Sequence, residues 1–142
     1  GGFLANRLAC EHADKIAGIM SLAGTSFVNA SECENTGGVS ILHVHGTEDE
    51  TIFYNGTASY PSAEELMVRW RDRNGCEGTS EAPSLLDIDQ AVSGEDTTVV
   101  KSTGCRDNKE AELWTINGGG HVPYLASDFM DRVFDFLFKQ SL

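Results

Sequence analysis

The chain has 142 residues, room for one ordinary domain rather than two packed ones, and its 40% apolar and 23% charged residues suit a packed core rather than a disordered tail. Lys and Arg total 10 against 22 Asp and Glu, a formal net charge of −12. That is the wrong sign for holding phosphate backbones or an anionic membrane surface, so neither nucleic acid nor membrane is expected as a partner. No apolar run approaches the roughly 20 residues that span a bilayer.

Gly1-Gly2 leads into a stretch in which Phe3, Leu4, Arg7, Leu8 and Glu11 keep helical spacing, with Phe3, Leu4 and Leu8 as an apolar stripe. Two glycines ahead of such a helix predict a backbone that turns sharply out of a preceding strand where a Cβ has no room, so the sequence reads as entering in mid-fold. Residues 16–24 form a short, nearly continuous apolar run ending in glycine, the pattern of a strand covered on both faces of a parallel sheet. A polar loop follows, and residues 39–46 repeat the strand pattern. Residues 62–74 predict a helix with Ser62 as N-cap, Glu65 at the capping-box position, an apolar face of Leu66, Met67 and Trp70, and Asn74-Gly75 as its stop.

The stretch 77–95, rich in Gly, Ser, Glu and Asp, reads as an irregular surface loop, and 97–102 as an edge strand. Residues 111–116 predict a third core strand, followed by the glycine loop Asn117-Gly118-Gly119-Gly120 and a final amphipathic helix marked by Phe129, Val133, Phe136 and Leu137. Trp70 and Trp114 are assigned to the core. The alternation of strand and helix predicts an α/β fold, a parallel sheet flanked by helices, as a single domain over residues 1–142. In such a sheet ligands meet the loops at the carboxyl ends of the strands.

Cys10, Cys33, Cys76 and Cys105 lack the C-x-x-C spacing of a zinc ribbon or a thioredoxin-type site. Disulfides are the better reading. Three pairings are formally open; Cys10 with Cys33 and Cys76 with Cys105 is favoured because each then closes a local loop flanked by turn-rich sequence. Two bridges imply an oxidising compartment, hence a secreted or periplasmic protein. Asn29-Ala30-Ser31 and Asn55-Gly56-Thr57 match the glycosylation tripeptide, a pattern that recurs by chance.

The polar candidates gather on two loops. His45-Gly46-Thr47-Glu48-Asp49 leaves the second strand and Gly119-Gly120-His121 leaves the third, which places Asp49 and His121 at the same sheet edge, with Glu48 as a backup acid. An acid after one strand and a histidine after the next core strand is the order in which acid and base arrive in an α/β-hydrolase, where the nucleophile precedes both in a Gly-x-Ser-x-Gly turn. Gly1 occupies the place of that motif's last glycine.

On Gly-Gly-Phe-Leu-Ala-Asn-Arg-Leu-Ala-Cys at positions 1 to 10, Ala23-Gly24-Thr25, His43 through Asp49 with Tyr54, Arg73-Asn74-Gly75-Cys76, and Gly118-Gly119-Gly120-His121, the sequence resembles the secreted α/β-hydrolase esterases that include polyhydroxybutyrate depolymerases and feruloyl and acetyl-xylan esterases. The resemblance covers nearly the whole chain and implies the C-terminal portion of that fold. It makes Asp49 the triad acid and His121 the triad base, with no cofactor and an ester as substrate. By the motif the nucleophilic serine is expected two positions before Gly1, on a part of the fold that lies upstream and acts as a partner of this one. Tyr54 and Tyr124 are candidates for an acyl or aromatic pocket. Where the family often continues its histidine loop with Trp-Pro, this chain has Val122-Pro123-Tyr124. The favoured cysteine pairing agrees with the resemblance.

Two alternatives stand beside this reading. His43 and His45 alternate along a strand and share a face, which with Asp49 and His121 suggests a metal-dependent hydrolase; buried core or supporting histidines are the other account of the same pair. The chain could also be a non-catalytic fragment or interaction module. A first strand lacking its neighbour should leave an uncovered sheet edge through which copies associate.

Overall fold

The computed structural model describes residues 1–33 and 37–142; the polar loop before the second strand is covered except for residues 34–36. Helix α1 (Gly2–Glu11) opens the chain, followed by strand β1 (Gly18–Leu22) and strand β2 (Ser40–Gly46). Helix α2 (Ala63–Asn74) comes next, then strands β3 (Gly78–Glu81), β4 (Thr97–Thr103) and β5 (Ala111–Ile116), and helix α3 (Phe129–Leu137) closes the chain. The strands form one five-stranded sheet in the order β1-β2-β5-β4-β3. β1, β2 and β5 run parallel, with Ile41 facing Ile19 on one side and Ala111 on the other. β4 and β3 run antiparallel to their neighbours, so the sheet is mixed where a parallel one was expected.

Two further expectations are corrected at this end. Residues 97–103 are not the edge: β4 lies between β5 and β3, and the edge is β3, cut from the stretch read as irregular loop. Every β3 residue is exposed, so no apolar alternation marks it in the sequence, and its strand character comes from the ladder with β4, Gly78 opposite Thr103 and Glu81 opposite Val100.

The parallel strands owe their apolar runs to cover on both faces. β2 is buried along its whole length. Its Ile41 side, with Ile19, Ala111 and Leu113, packs under Leu66, Met67 and Trp70 of α2 and Ala9 of α1. The opposite side, Leu42 and Val44 with Trp114 and Ile116, packs against Phe129, Val133 and Phe136 of α3. Trp70 and Trp114 are buried, as the sequence suggested. Ser62 caps α2 as expected, its hydroxyl accepting the Glu65 N–H at 3.0 Å. At the C-terminal end of α2 the buried Asn74 side chain accepts from Val39 N–H (3.1 Å) and donates to Val39 C=O (3.0 Å), fixing the entry to β2.

Disulfides join Cys10 to Cys33 and Cys76 to Cys105, the favoured pairing. Among the described residues no helix is long and apolar enough to cross a membrane.

Candidate active site

The loops leaving β2 and β5 are knitted together by hydrogen bonds. Thr47 N–H donates to Ile116 C=O (3.0 Å), Glu48 N–H to Gly119 C=O (2.9 Å), and Gly118 N–H to the Thr47 hydroxyl (2.8 Å). Gly46 allows this approach: a Cβ there would lie 2.1 Å from the Gly119 carbonyl oxygen, so only glycine lets the loops close. Within the glycine run before His121 only Gly119 is crowded, a Cβ there falling 2.5 Å from Ile116 Cγ2; Gly118 has a positive φ of 82°, and a Cβ on Gly120 would meet nothing within 4 Å.

That contact brings Asp49 and His121 together. The Asp49 carboxylate is buried, while Glu48 and Glu50 on either side are exposed. Its Oδ1 accepts the N–H groups of Thr51 and Ile52, both at 2.8 Å. Its Oδ2 accepts His121 Nδ1–H at 2.8 Å and lies 3.1 Å from His45 Nε2. Burial by itself would raise the Asp49 carboxyl; the hydrogen bonds from His121, Ile52 and Thr51 outweigh it and hold the group below the ordinary carboxylate range. Asp49 is therefore an anion at neutral pH. The His121 side chain is 36% exposed, with Nδ1 turned into the protein.

His43 and His45 share a face of β2, as their spacing implied, and both are fully buried. His43 Nε2 lies 3.2 Å from His45 Nδ1, and His45 Nε2 lies 2.8 Å from Ile52 C=O as well as beside Asp49. Burial lowers the proton affinity of both rings, to about 3 for His43, so both are neutral near pH 7. The metal reading is corrected here. His43, His45 and His121 are joined in a line of hydrogen bonds through Asp49 rather than converging on a point, and among the described residues no group of three His, Cys, Asp or Glu side chains is arranged to hold a metal ion.

Tyr54 is also corrected. It is buried rather than lining a pocket: its ring meets His45 edge-on at 5.6 Å and its hydroxyl bonds Thr115 Oγ1 at 2.9 Å. Tyr124 stays exposed, three residues beyond His121.

The histidine loop has a support that the sequence did not disclose. Asp89, in the stretch between β3 and β4, accepts Tyr124 N–H at 2.9 Å and Ala91 N–H at 3.0 Å, and Gln90 N–H donates to Tyr124 C=O at 2.7 Å. Asp96 in turn accepts Asp89 N–H at 2.8 Å. Both carboxylates are buried. In the sequence they are two acids in a polar stretch, with no periodicity to separate them from solvent-facing neighbours.

At the other end of the site, α1 starts against the loop that leaves β1. A Cβ on Gly2 would lie 2.6 Å from Gly24 Cα, whereas one on Gly1 would meet nothing within 4 Å, so the close approach belongs to Gly2 alone. Beneath it Ser21 is buried, its hydroxyl accepting from Asn6 Nδ2 at 3.1 Å, and Asn6 Oδ1 accepts Trp70 Nε1–H at 2.9 Å.

No protein-family model matches the chain. Over most of its length it is similar to esterases. It is 28% identical over 134 residues to feruloyl esterase B of Piromyces equi, an alignment covering 86% of this chain and 23% of that protein. It is 29% identical over 123 residues to feruloyl esterase D of Neurospora crassa, covering 87% of this chain and 37% of that protein. The chain thus spans well under half the length of these curated relatives.

Proposed function

We propose that this chain supplies the acid and the base of a secreted serine carboxylic-ester hydrolase of the α/β-hydrolase type, acting on feruloyl or closely related esters. The observation that carries the reading is the buried Asp49 carboxylate 2.8 Å from Nδ1 of a half-exposed His121, on loops at the carboxyl ends of adjacent parallel strands. The similarity to feruloyl esterases supports the substrate class, and the two disulfides support export. Polyester cleavage of the depolymerase kind is the other ester chemistry the same machinery would serve.

With Nδ1 engaged by Asp49, Nε2 of His121 is the nitrogen that takes the proton of a serine hydroxyl as its oxygen attacks the ester carbonyl. The tetrahedral intermediate collapses as that proton passes to the departing alcohol, leaving an acyl-serine. Water then attacks the acyl group, again losing its proton to His121, and the serine is regenerated. Asp49 holds the imidazole in the Nδ1–H tautomer and stabilises the imidazolium formed in each half-reaction. By the Gly-x-Ser-x-Gly motif the serine of the whole protein would lie two positions before Gly1 at a strand-to-helix turn, a reading supported by the close approach of Gly2 to Gly24 at the start of α1.

The test is hydrolysis of methyl ferulate by the protein including the residues that precede Gly1. Turnover should be abolished by His121→Ala and by a serine-directed phosphonate, and the 142-residue chain by itself should show no His121-dependent turnover. Full activity in His121→Ala would overturn the proposal.

A further inference from the structure

His43 and His45 take no part in the reaction above, yet they are buried in line with it. His45 Nε2 faces two acceptors, Asp49 Oδ2 at 3.1 Å and Ile52 C=O at 2.8 Å, so this nitrogen carries the ring's proton. A neutral ring then has a bare Nδ1, which accepts from His43 Nε2–H at 3.2 Å. The remaining nitrogen, His43 Nδ1, is buried beside the Ser21 backbone and makes no well-formed hydrogen bond with the described residues. The direction of every proton in the line follows: His43 donates to His45, His45 donates to Asp49, and His121 donates to the same Asp49 oxygen from the other side. Tyr54 closes the remaining side of the His45 ring edge-on.

We propose that His45 is a positioning residue: its Nε2–H, on a ring whose Nδ1 is satisfied by His43, holds Oδ2 of Asp49 in the orientation that receives His121. The inference rests on Asp49 and His121 being the acid and base of the proposed reaction. The two Asp49 oxygens have different anchors. Oδ1 is tied to its own loop through Thr51 and Ile52, whereas His45 is the link from Oδ2 to the rigid strand β2. Without that link the carboxylate is fixed only by its own loop and by His121, the group it has to receive. Because His45 is neutral, it supplies a donor without adding a charge that would compete with the imidazolium of His121.

Nitrogen-15 NMR of this chain tests the proposal. At a pH where all rings are neutral, His43 and His45 should be protonated on Nε2 and His121 on Nδ1. A His45 protonated on Nδ1 overturns the proposal without any variant being made. His45→Phe, which keeps a ring but no donor, should speed water exchange of the His121 Nδ1 proton by about three- to tenfold, the weight of one hydrogen bond. His45→Gln, whose amide can donate toward the same oxygen, should restore the slow exchange; equal behaviour of the Gln and Phe variants overturns the proposal. Asp49→Asn separates the two readings. It must abolish the Nδ1–H form of His121 if the acid–base pair is real. If it does so while His45→Phe leaves exchange unchanged, only the role of His45 fails.

Discussion

Asp49→Asn probes the site most directly, because the replacement is nearly isosteric and changes only charge and donor pattern. The wild-type carboxylate accepts two amide N–H groups on Oδ1 and sits between His121 Nδ1 and His45 Nε2 on Oδ2. An asparagine keeps the first two bonds only by turning its carbonyl toward Thr51 and Ile52, which aims its NH2 at two ring nitrogens that both carry protons. One donor–donor clash is relieved when His121 moves its proton to Nε2; the one with the buried His45 is not. The loss is one charge-assisted hydrogen bond plus an unpaired buried donor, about 2–4 kcal/mol of stability by urea unfolding near neutral pH. The tautomer switch leaves Nε2 unable to accept a serine proton, so kcat for methyl ferulate in the whole protein should fall by about 10³–10⁴-fold.

The pH dependence gives a second readout of the same substitution. The folded-state Asp49 carboxyl titrates below its unfolded value, so its stabilising contribution is complete above the unfolded value and is lost as pH falls through the folded one. Asp49→Asn should therefore cost most near neutrality and progressively less in acid, narrowing the gap between variant and wild type. A variant retaining more than about a tenth of wild-type kcat, or a stability gap that widens in acid, would refute the reasoning.

Three further outcomes are expected. Gly24→Ala places a methyl 2.5 Å from Gly2 Cα and 2.6 Å from Ser21 Oγ, a clash with backbone that should lower stability by about 1–3 kcal/mol in thermal unfolding. Asn6→Ala strips the acceptor from the buried Trp70 indole N–H and should cost about 1–3 kcal/mol, with a shift in tryptophan fluorescence as the indole repacks. Replacing Cys76 and Cys105 together by serine opens a loop of 29 residues' separation, for which chain entropy gives about 3–4 kcal/mol; unchanged denaturant midpoints would contradict it.

The parallel half of the fold was readable because burial on both faces writes itself into residues 16–24 and 39–46 as unbroken apolar runs, and because Ser62 and Glu65 mark the start of α2. The antiparallel half was not. β3 is exposed throughout, and β4 becomes interior only through β3, so its place depends on a partner with no signature of its own. Asp49 and His121 were legible as a pair from their order behind two strands. The outward turn of Glu48 was not, since only the turn geometry decides which of three consecutive acids points inward. Tyr54 shows the converse: an aromatic near a reactive loop suggests a ligand contact, yet the chain folds it back under the strand to brace His45.

Both cross-links lie on the far side of the sheet from the reactive loops. Cys10 lies in the last turn of α1 and Cys33 precedes β2, while Cys76 follows α2 and Cys105 follows β4, the strand that runs opposite to β5. The molecule is clamped at its heel and held at its working end by amide contacts and two facing glycines. A reductant should therefore slacken the heel while the Asp49–His121 couple survives, and grafting new sequence into residues 50–61 or 122–128 leaves the covalent framework untouched.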